Sequence, residues 1–210
     1  MIKNLLIIGA RGLGRTVHNY LQELEENNVD FRIKGFLDDK INALEGFYDY
    51  APIISSVEDY NVSENDIFIC SLGDLIYKKK YTEIILKKGG EFFTLIHPQA
   101  RVMKDAQIGV GTIIAPWCTV GTGSVIGAHC LIQCFSVIAH DVKIGDWSRV
   151  DTHAVCTGGA TIGENVTIHT GAILNQKVKV GDNVKVGAGC FVFKNIKPGK
   201  TVYGNPAKEL

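Results

Sequence analysis

Three residues of this 210-residue chain have types and spacing suited to moving a proton: His140, Asp141 and Gly158. An imidazole titrates near neutral pH, and an adjacent carboxylate can fix its tautomer, which together suit a general base. Neighbouring side chains on a plain extended strand point apart, so Asp141 can orient His140 only if the backbone bends between them. Gly158 follows His140 by eighteen residues. If the chain repeats at that interval, Gly158 stacks beside the imidazole and leaves a bare backbone N–H for a developing oxyanion. His129, His153 and His169 also take outward positions, and each alone reads as an ordinary surface histidine.

The repeat that must position these groups runs from residue 102 to 197. Every sixth residue is aliphatic, from Val102, Ile108 and Ile114 through Ile138, Ile144 and Val150 to Val186 and Val192, with Cys156 the single exception in sixteen consecutive hexads. Four residues after each comes a small or β-branched residue, for example Thr112, Cys118, Ser124, Ser136, Ala154 and Ala172. A period of six belongs to neither a helix nor a flat strand, so each hexad is one short strand and a bend with two residues pointing inward. Three hexads per turn make an eighteen-residue coil, and stacked coils make a parallel β-helix of roughly five turns with a dry aliphatic interior. Outward slots alone are left for chemistry, and His140 and Asp141 fall at a corner.

The totals set limits on partners. A hydrophobic fraction of 46% supports a substantial core, and a formal net charge of zero gives no support for a nucleic-acid partner or an anionic membrane surface. No apolar run reaches eighteen residues, and the opening MIKNLLIIGARG turns into a glycine loop too soon for a signal peptide, so the protein is read as cytoplasmic. Of six cysteines, Cys118, Cys130, Cys156 and Cys190 occupy inward slots, and Cys130 and Cys134 lack a second pair. They read as small hydrophobes, with neither zinc nor disulfides expected.

Residues 1–97 read as a separate domain, with 98–210 forming the β-helix and its tail. An apolar run at Leu5 to Ile8 precedes Gly9-Ala10-Arg11-Gly12-Leu13-Gly14, and a helical segment follows through about Glu26. Next come a strand at Phe31 to Leu37 ending in Asp38-Asp39, a loop with Pro52, a short helical stretch near Ser55 to Tyr60, and a strand from Asp66 to Leu72. A helix from Leu75 to Lys88 and a strand from Glu91 to Ile96 complete it. This alternation predicts a small parallel sheet covered by helices, Rossmann-like in type, with a ligand at the carboxyl ends of its strands. Three loops meet there: Gly9 to Gly14, Asp38-Asp39 and Gly73-Asp74. The glycines are spaced G-x-x-G-x-G, unlike the dinucleotide fingerprint, and the domain is short for a dehydrogenase. Backbone amides at the helix head can nonetheless meet a phosphate, and Asp38 and Asp39 are placed to reach a ribose or a base.

The hexads, GARGLGR, FLDD, LIHP, VIAHDVKIGD and the closing VYGNPAKEL together resemble the hexapeptide-repeat sugar acyltransferases. Within that family they are similar to sialic acid O-acetyltransferases and to N-acetyltransferases of nucleotide-linked 4-amino sugars of the bacillosamine type. The resemblance covers essentially the whole chain. It implies a left-handed β-helix, a homotrimer, acetyl-CoA as co-substrate in the groove between neighbouring prisms, no metal, and an N-terminal domain that holds the nucleotide sugar. It implies further that His140 is the base and Asp141 its helper, that Gly158 meets the thioester, and that Thr170 and Ala188 line the coenzyme groove. Gly9, Arg11, Gly12, Leu13, Asp38, Asp39 and Gly73 match the nucleotide-sugar loops. Arg149 stands where the bacillosamine-type enzymes carry a second histidine near the acetyl group; it can donate hydrogen bonds to a carbonyl or phosphate but cannot accept a proton.

The expected reaction is acetylation of the C4 amine of a UDP- or dTDP-linked 4-amino-4,6-dideoxy sugar, in bacterial surface glycan biosynthesis, by direct transfer without an acyl-cysteine. The alternatives are O-acetylation of sialic acid or another sugar hydroxyl, a non-catalytic β-helix binding trimer, and a small oxidoreductase using the glycine loop.

Overall fold

The computed structural model describes residues 2–25 and 30–210. The chain forms two compact units, the first ending at Phe93 and the second spanning Thr94–Leu210.

In the first unit, β1 (Lys3–Ile8), β2 (Phe31–Leu37), β3 (Ile53–Ser55), β4 (Asp66–Cys70) and β5 (Glu91–Phe92) form one parallel sheet in the order β3-β2-β1-β4-β5. Strand β1 lies at its centre, and Leu5, Leu6, Ile7 and Ile8 are fully buried, as a continuous apolar run in a covered parallel sheet should be. Helix α1 (Gly12–Glu25) follows β1, and helix α2 (Leu75–Lys87) connects β4 to β5. The expected end of α1 at Glu26 lies outside the described residues. Asp74 caps α2, its Oδ1 accepting from the N–H groups of Ile76 and Tyr77 at 2.9 and 3.2 Å.

Two expectations are corrected. The helical stretch near Ser55 to Tyr60 is instead the end of β3 followed by a turn. Ser56 Oγ donates to Asp59 Oδ2 at 2.7 Å and accepts from the Asp59 N–H at 3.1 Å, so the side chain closes the turn without a helix. The strand expected at Glu91 to Ile96 is two strands. Glu91–Phe92 belongs to the sheet of the first unit, whereas Leu95–Ile96 pairs with Ile113–Ile114 in the second unit. That pairing places the division at Phe93/Thr94, ahead of His97.

The second unit is a parallel β-helix. Each of the sixteen hexad positions, fifteen aliphatics and Cys156, is the second residue of a two-residue strand, beginning with Arg101–Val102 and ending with Phe191–Val192. Partners are eighteen residues apart on all three faces: Thr119 with Val137, Val125 with Lys143, Leu131 with Arg149. The face built on Val137–Ile138 has six strands and that on Lys143–Ile144 has five; the third, which holds Arg149–Val150, has eight because Leu95–Ile96 and the C-terminal strands join it.

Inward polar slots are satisfied inside the stack. Thr112, Ser124, Ser136 and Ser148 are buried, and each hydroxyl donates to the carbonyl fifteen residues ahead, at 2.7 to 2.9 Å. Corners are made by residues with positive φ, among them Trp117, Phe135, Asp141 and His153. All six cysteines are free thiols, and burial pushes those of Cys118 and Cys156 up to about 12, the wrong direction for a nucleophile.

Candidate active site

The bend that the sequence required between His140 and Asp141 is present. Asp141 has φ of 60°, and its N–H donates to the Thr122 carbonyl of the preceding coil at 2.9 Å. The turn swings the carboxylate back, so that Asp141 Oδ2 lies 2.9 Å from His140 Nδ1. An ionised carboxylate only accepts, so a neutral imidazole in this contact carries its proton on Nδ1 and leaves the lone pair of Nε2 for a substrate. The imidazole is well exposed, with 60% of its side-chain surface accessible.

Gly158 stacks one coil after His140, as the eighteen-residue period predicts, and the Gly159 N–H donates to the His140 carbonyl at 3.0 Å. A Cβ on Gly158 would overlap Nε2 and Cε1 of the imidazole. The open patch expected at Gly158 is corrected accordingly: the glycine is buried, because the ring itself lies against it. Among the described residues, no acceptor takes the Gly158 N–H, while its carbonyl accepts from the Lys177 N–H at 3.1 Å.

The other residues expected at the coenzyme lie elsewhere on the prism. His140 follows a strand of the six-stranded face, Val137–Ile138, whereas Arg149 belongs to the eight-stranded face. Thr170 and Ala188 are exposed and stack one coil apart at the edge joining those two faces, with the Gly189 N–H donating to the Thr170 carbonyl at 2.9 Å. One chain thus brings together His140, Asp141 and Gly158, and sets Arg149, Thr170 and Ala188 apart from them.

Arg149 has company that the sequence reading missed. Its Nε donates to Oδ1 of the buried Asp151. Gln133 Nε2 donates to the same oxygen at 2.7 Å, and His169 Nδ1 lies 3.1 Å from Oδ2. Gln133, Asp151 and His169 are spaced by eighteen, so the repeat itself carried the signal: three polar residues in one column of an aliphatic stack.

In the first unit, a cavity of about 790 Å³ opens at the carboxyl ends of β1, β2 and β4. Gly9, Arg11, Leu13, Asp38, Asp39 and Gly73 all line it; Gly12 does not, and instead opens α1. Gly14 explains the unusual glycine spacing, because a Cβ there would overlap the Gly9 carbonyl where helix and strand approach each other. Asp38 orders the rim: Oδ2 accepts from the Ala10 N–H at 2.8 Å and Oδ1 from the Lys40 N–H at 2.9 Å. Asp39 accepts the Tyr81 hydroxyl, and burial, followed by this carboxylate, pushes the Tyr81 phenol up. Tyr77 and Tyr81, one turn apart on α2 and stacked with ring centroids 6.2 Å apart, are wall residues that the sequence reading overlooked. Their four-residue spacing after Gly73 was the available clue.

Comparison with known proteins agrees with both halves. The family described as PglD N-terminal domain matches residues 4–85, and the bacterial transferase hexapeptide family (six repeats) matches 123–158 and 159–194. Over 115 residues, 54% of its length, the chain is 32% identical to the UDP-N-acetylbacillosamine N-acetyltransferase of Bacillus subtilis (strain 168). Over 81 residues, 39% of its length, it is 36% identical to the GDP-perosamine N-acetyltransferase of Escherichia coli O157:H7. It spans 51% and 37% of the lengths of these two relatives. The acetyltransferase domain of PglB from Neisseria gonorrhoeae FA1090, solved in complex with acetyl coenzyme A, superposes with a TM-score of 0.92 at 30% identity over 100% of both chains. No helix among the described residues is long and apolar enough to cross a membrane. The chain belongs to the hexapeptide-repeat sugar acetyltransferase family, with a PglD-type N-terminal domain.

Proposed function

We propose that the protein transfers the acetyl group of acetyl-CoA to the C4 amine of a UDP- or dTDP-linked 4-amino-4,6-dideoxy sugar, for bacterial surface glycan biosynthesis in the cytoplasm. The observation that carries this reading is the His140–Asp141 contact at 2.9 Å, which leaves the Nε2 lone pair of an exposed imidazole directed away from its carboxylate. The neutral amine attacks the thioester carbonyl, and the new C–N bond forms. His140 Nε2 takes the proton from nitrogen, Asp141 balances the imidazolium, and the C–S bond breaks with its electron pair leaving on sulfur. The Gly158 N–H, not used by the coil-to-coil hydrogen bonds, is the donor left for the oxyanion.

In this reading the cavity of the first unit takes the nucleotide, with the α1 head meeting the phosphates. The active assembly is a homotrimer, which gives a covering to the apolar surface at Trp117 and Phe135, half exposed in the single chain. The test is release of the coenzyme thiol in the presence of UDP- and dTDP-linked 4-amino sugars, with free sialic acid as the competing acceptor. Turnover with an amino sugar, and its loss in His140→Ala, is expected; turnover with sialic acid alone would overturn the choice of acceptor.

A further inference from the structure

The formal charge of zero hides an asymmetry along the chain, and the reaction above makes no use of it. Residues 177–210 hold seven lysines against Asp182 and Glu209, a net +5 that the remainder of the chain balances. All seven are exposed. Lys200 pairs with Glu209 at 3.2 Å, and the other six have no ion pair among the described residues.

The winding gathers these cations at one end of the prism. The last lap passes through Phe191–Val192 on the six-stranded face, Ile196 beside Val180, and Thr201–Tyr203 beside Lys185–Val186. Lys194 stands at the corner after the first of these, and Lys197 and Lys200 at the corner between the second and the third. Lys208 lies on the closing strand, antiparallel to Thr201–Tyr203. Lys177, Lys179 and Lys185 stand one lap earlier, about 4.8 Å away along the stack. A Debye length of about 8 Å at physiological salt takes in both laps, so the seven act as one field. Apolar rings share this end: Phe193 and Tyr203 are 41% and 49% exposed, and the Lys194 ammonium lies 5.3 Å from the centre of the Phe193 ring.

The distribution selects the partner. A coenzyme lying along one edge meets the cations of that edge alone, whereas these surround the end on two corners and two faces, as a planar anionic surface requires. Arginine, the commonest reader of base edges, is absent from residues 177–210, which argues against nucleic acid. Rings flanked by lysines are the composition of a surface that enters lipid headgroups. We propose that this end of the β-helix docks on an anionic lipid surface, the lysines meeting headgroup phosphates while Phe193 and Tyr203 reach the boundary of the acyl chains.

The experiment is co-sedimentation of the full chain with vesicles of phosphatidylcholine alone, or with about a third phosphatidylglycerol, at about 0.05 and 0.5 M salt. The protein is expected to pellet with the anionic vesicles at low salt, to be released at high salt, and to stay in solution with the neutral vesicles. Each lysine near a charged surface strengthens partitioning about fivefold, so Lys194→Gln combined with Lys197→Gln should weaken it roughly 25-fold. Phe193→Ser should weaken it about tenfold and leave the salt dependence as it was. Thermal melting establishes that the variants fold, and their turnover without vesicles should match wild type. Absence of pelleting with anionic vesicles at low salt, or variants that pellet as wild type does, overturns the proposal. So does a raised KM for acetyl-CoA in the lysine variant, which would assign these cations to the coenzyme phosphates, or tighter retention on duplex DNA than on anionic vesicles. Vesicle binding needs no turnover, so its failure and that of the transferase reading are separate outcomes.

Discussion

The imidazole of His140 lies against the backbone of Gly158 one coil later, so closely that a single methyl group at Gly158 would occupy the place of Nε2. The glycine is therefore the seat of the base. Gly158→Ala is expected to turn the ring away and lower turnover by roughly 100-fold, the size of a displaced general base, with a melting temperature near that of wild type. Steady-state kinetics alongside thermal unfolding check it, and unchanged turnover would show that the ring is not held there during the reaction.

Asp141 sets the tautomer. Asp141→Asn keeps the shape of the corner but offers a neutral amide to Nδ1, and turnover should drop at least tenfold while the KM for acetyl-CoA stays within about twofold. A loss confined to KM would argue against an orienting role.

In the first unit, Asp38 accepts from two backbone amides that shape the cavity rim. Asp38→Ala should loosen the rim and raise the KM for the nucleotide sugar about tenfold, equivalent to roughly 1.4 kcal/mol, with kcat little changed. Isothermal titration with the corresponding nucleoside diphosphate gives an independent reading.

The buried Asp66 carboxylate ties stability to pH. Burial alone would push it upward, but the Tyr60 hydroxyl at 2.7 Å, the Ser63 N–H at 2.9 Å and Lys34 at 3.1 Å together hold it below the ordinary value. Because the folded-state value is lowered, the contribution is complete above the unfolded carboxylate range near 4 and is lost as pH falls through the lowered value. Asp66→Asn should cost about 3 kcal/mol at pH 7 and progressively less in acid, as measured by denaturant unfolding between pH 7 and pH 3.

Ligand linkage supplies a test without turnover. Acetyl-CoA at 100 times its Kd should stabilise the native protein by about 2.7 kcal/mol, and NAD should give no shift. Thermal melting in the presence of each ligand separates a coenzyme-binding transferase from the oxidoreductase and scaffold alternatives.

How far the sequence foretold these features depends on where the information lies. The hexads announced the β-helix because each aliphatic slot is local and repeated, and the same arithmetic stacked Gly158 on His140. The turn at Asp141 was inferable as a necessity, though its geometry was not. Gly158 was expected to be open, and spacing alone cannot tell that the imidazole would fold down onto it. Asp151 escaped notice because its partners are dispersed over three coils, and polar residues were sought as neighbours in the chain. The turn at Ser56 to Asp59 was misread because two side-chain hydrogen bonds, invisible to periodicity, replace the helix. Tyr77 and Tyr81 were missed because the helix was read for its existence, leaving aside which of its residues face the cavity.

The inward hydroxyls of Thr112, Ser124, Ser136 and Ser148 each bond fifteen residues ahead, joining the bend of one lap to the bend of the next. Such a lattice tolerates changes of length only in whole laps. Gaining or losing six residues would rotate every later side chain onto the wrong side of the spindle, separating the proton acceptor from its seat, whereas eighteen would leave all three ridges aligned and only make the spindle taller or shorter. Descent with insertions and deletions in this half of the molecule is thereby quantised.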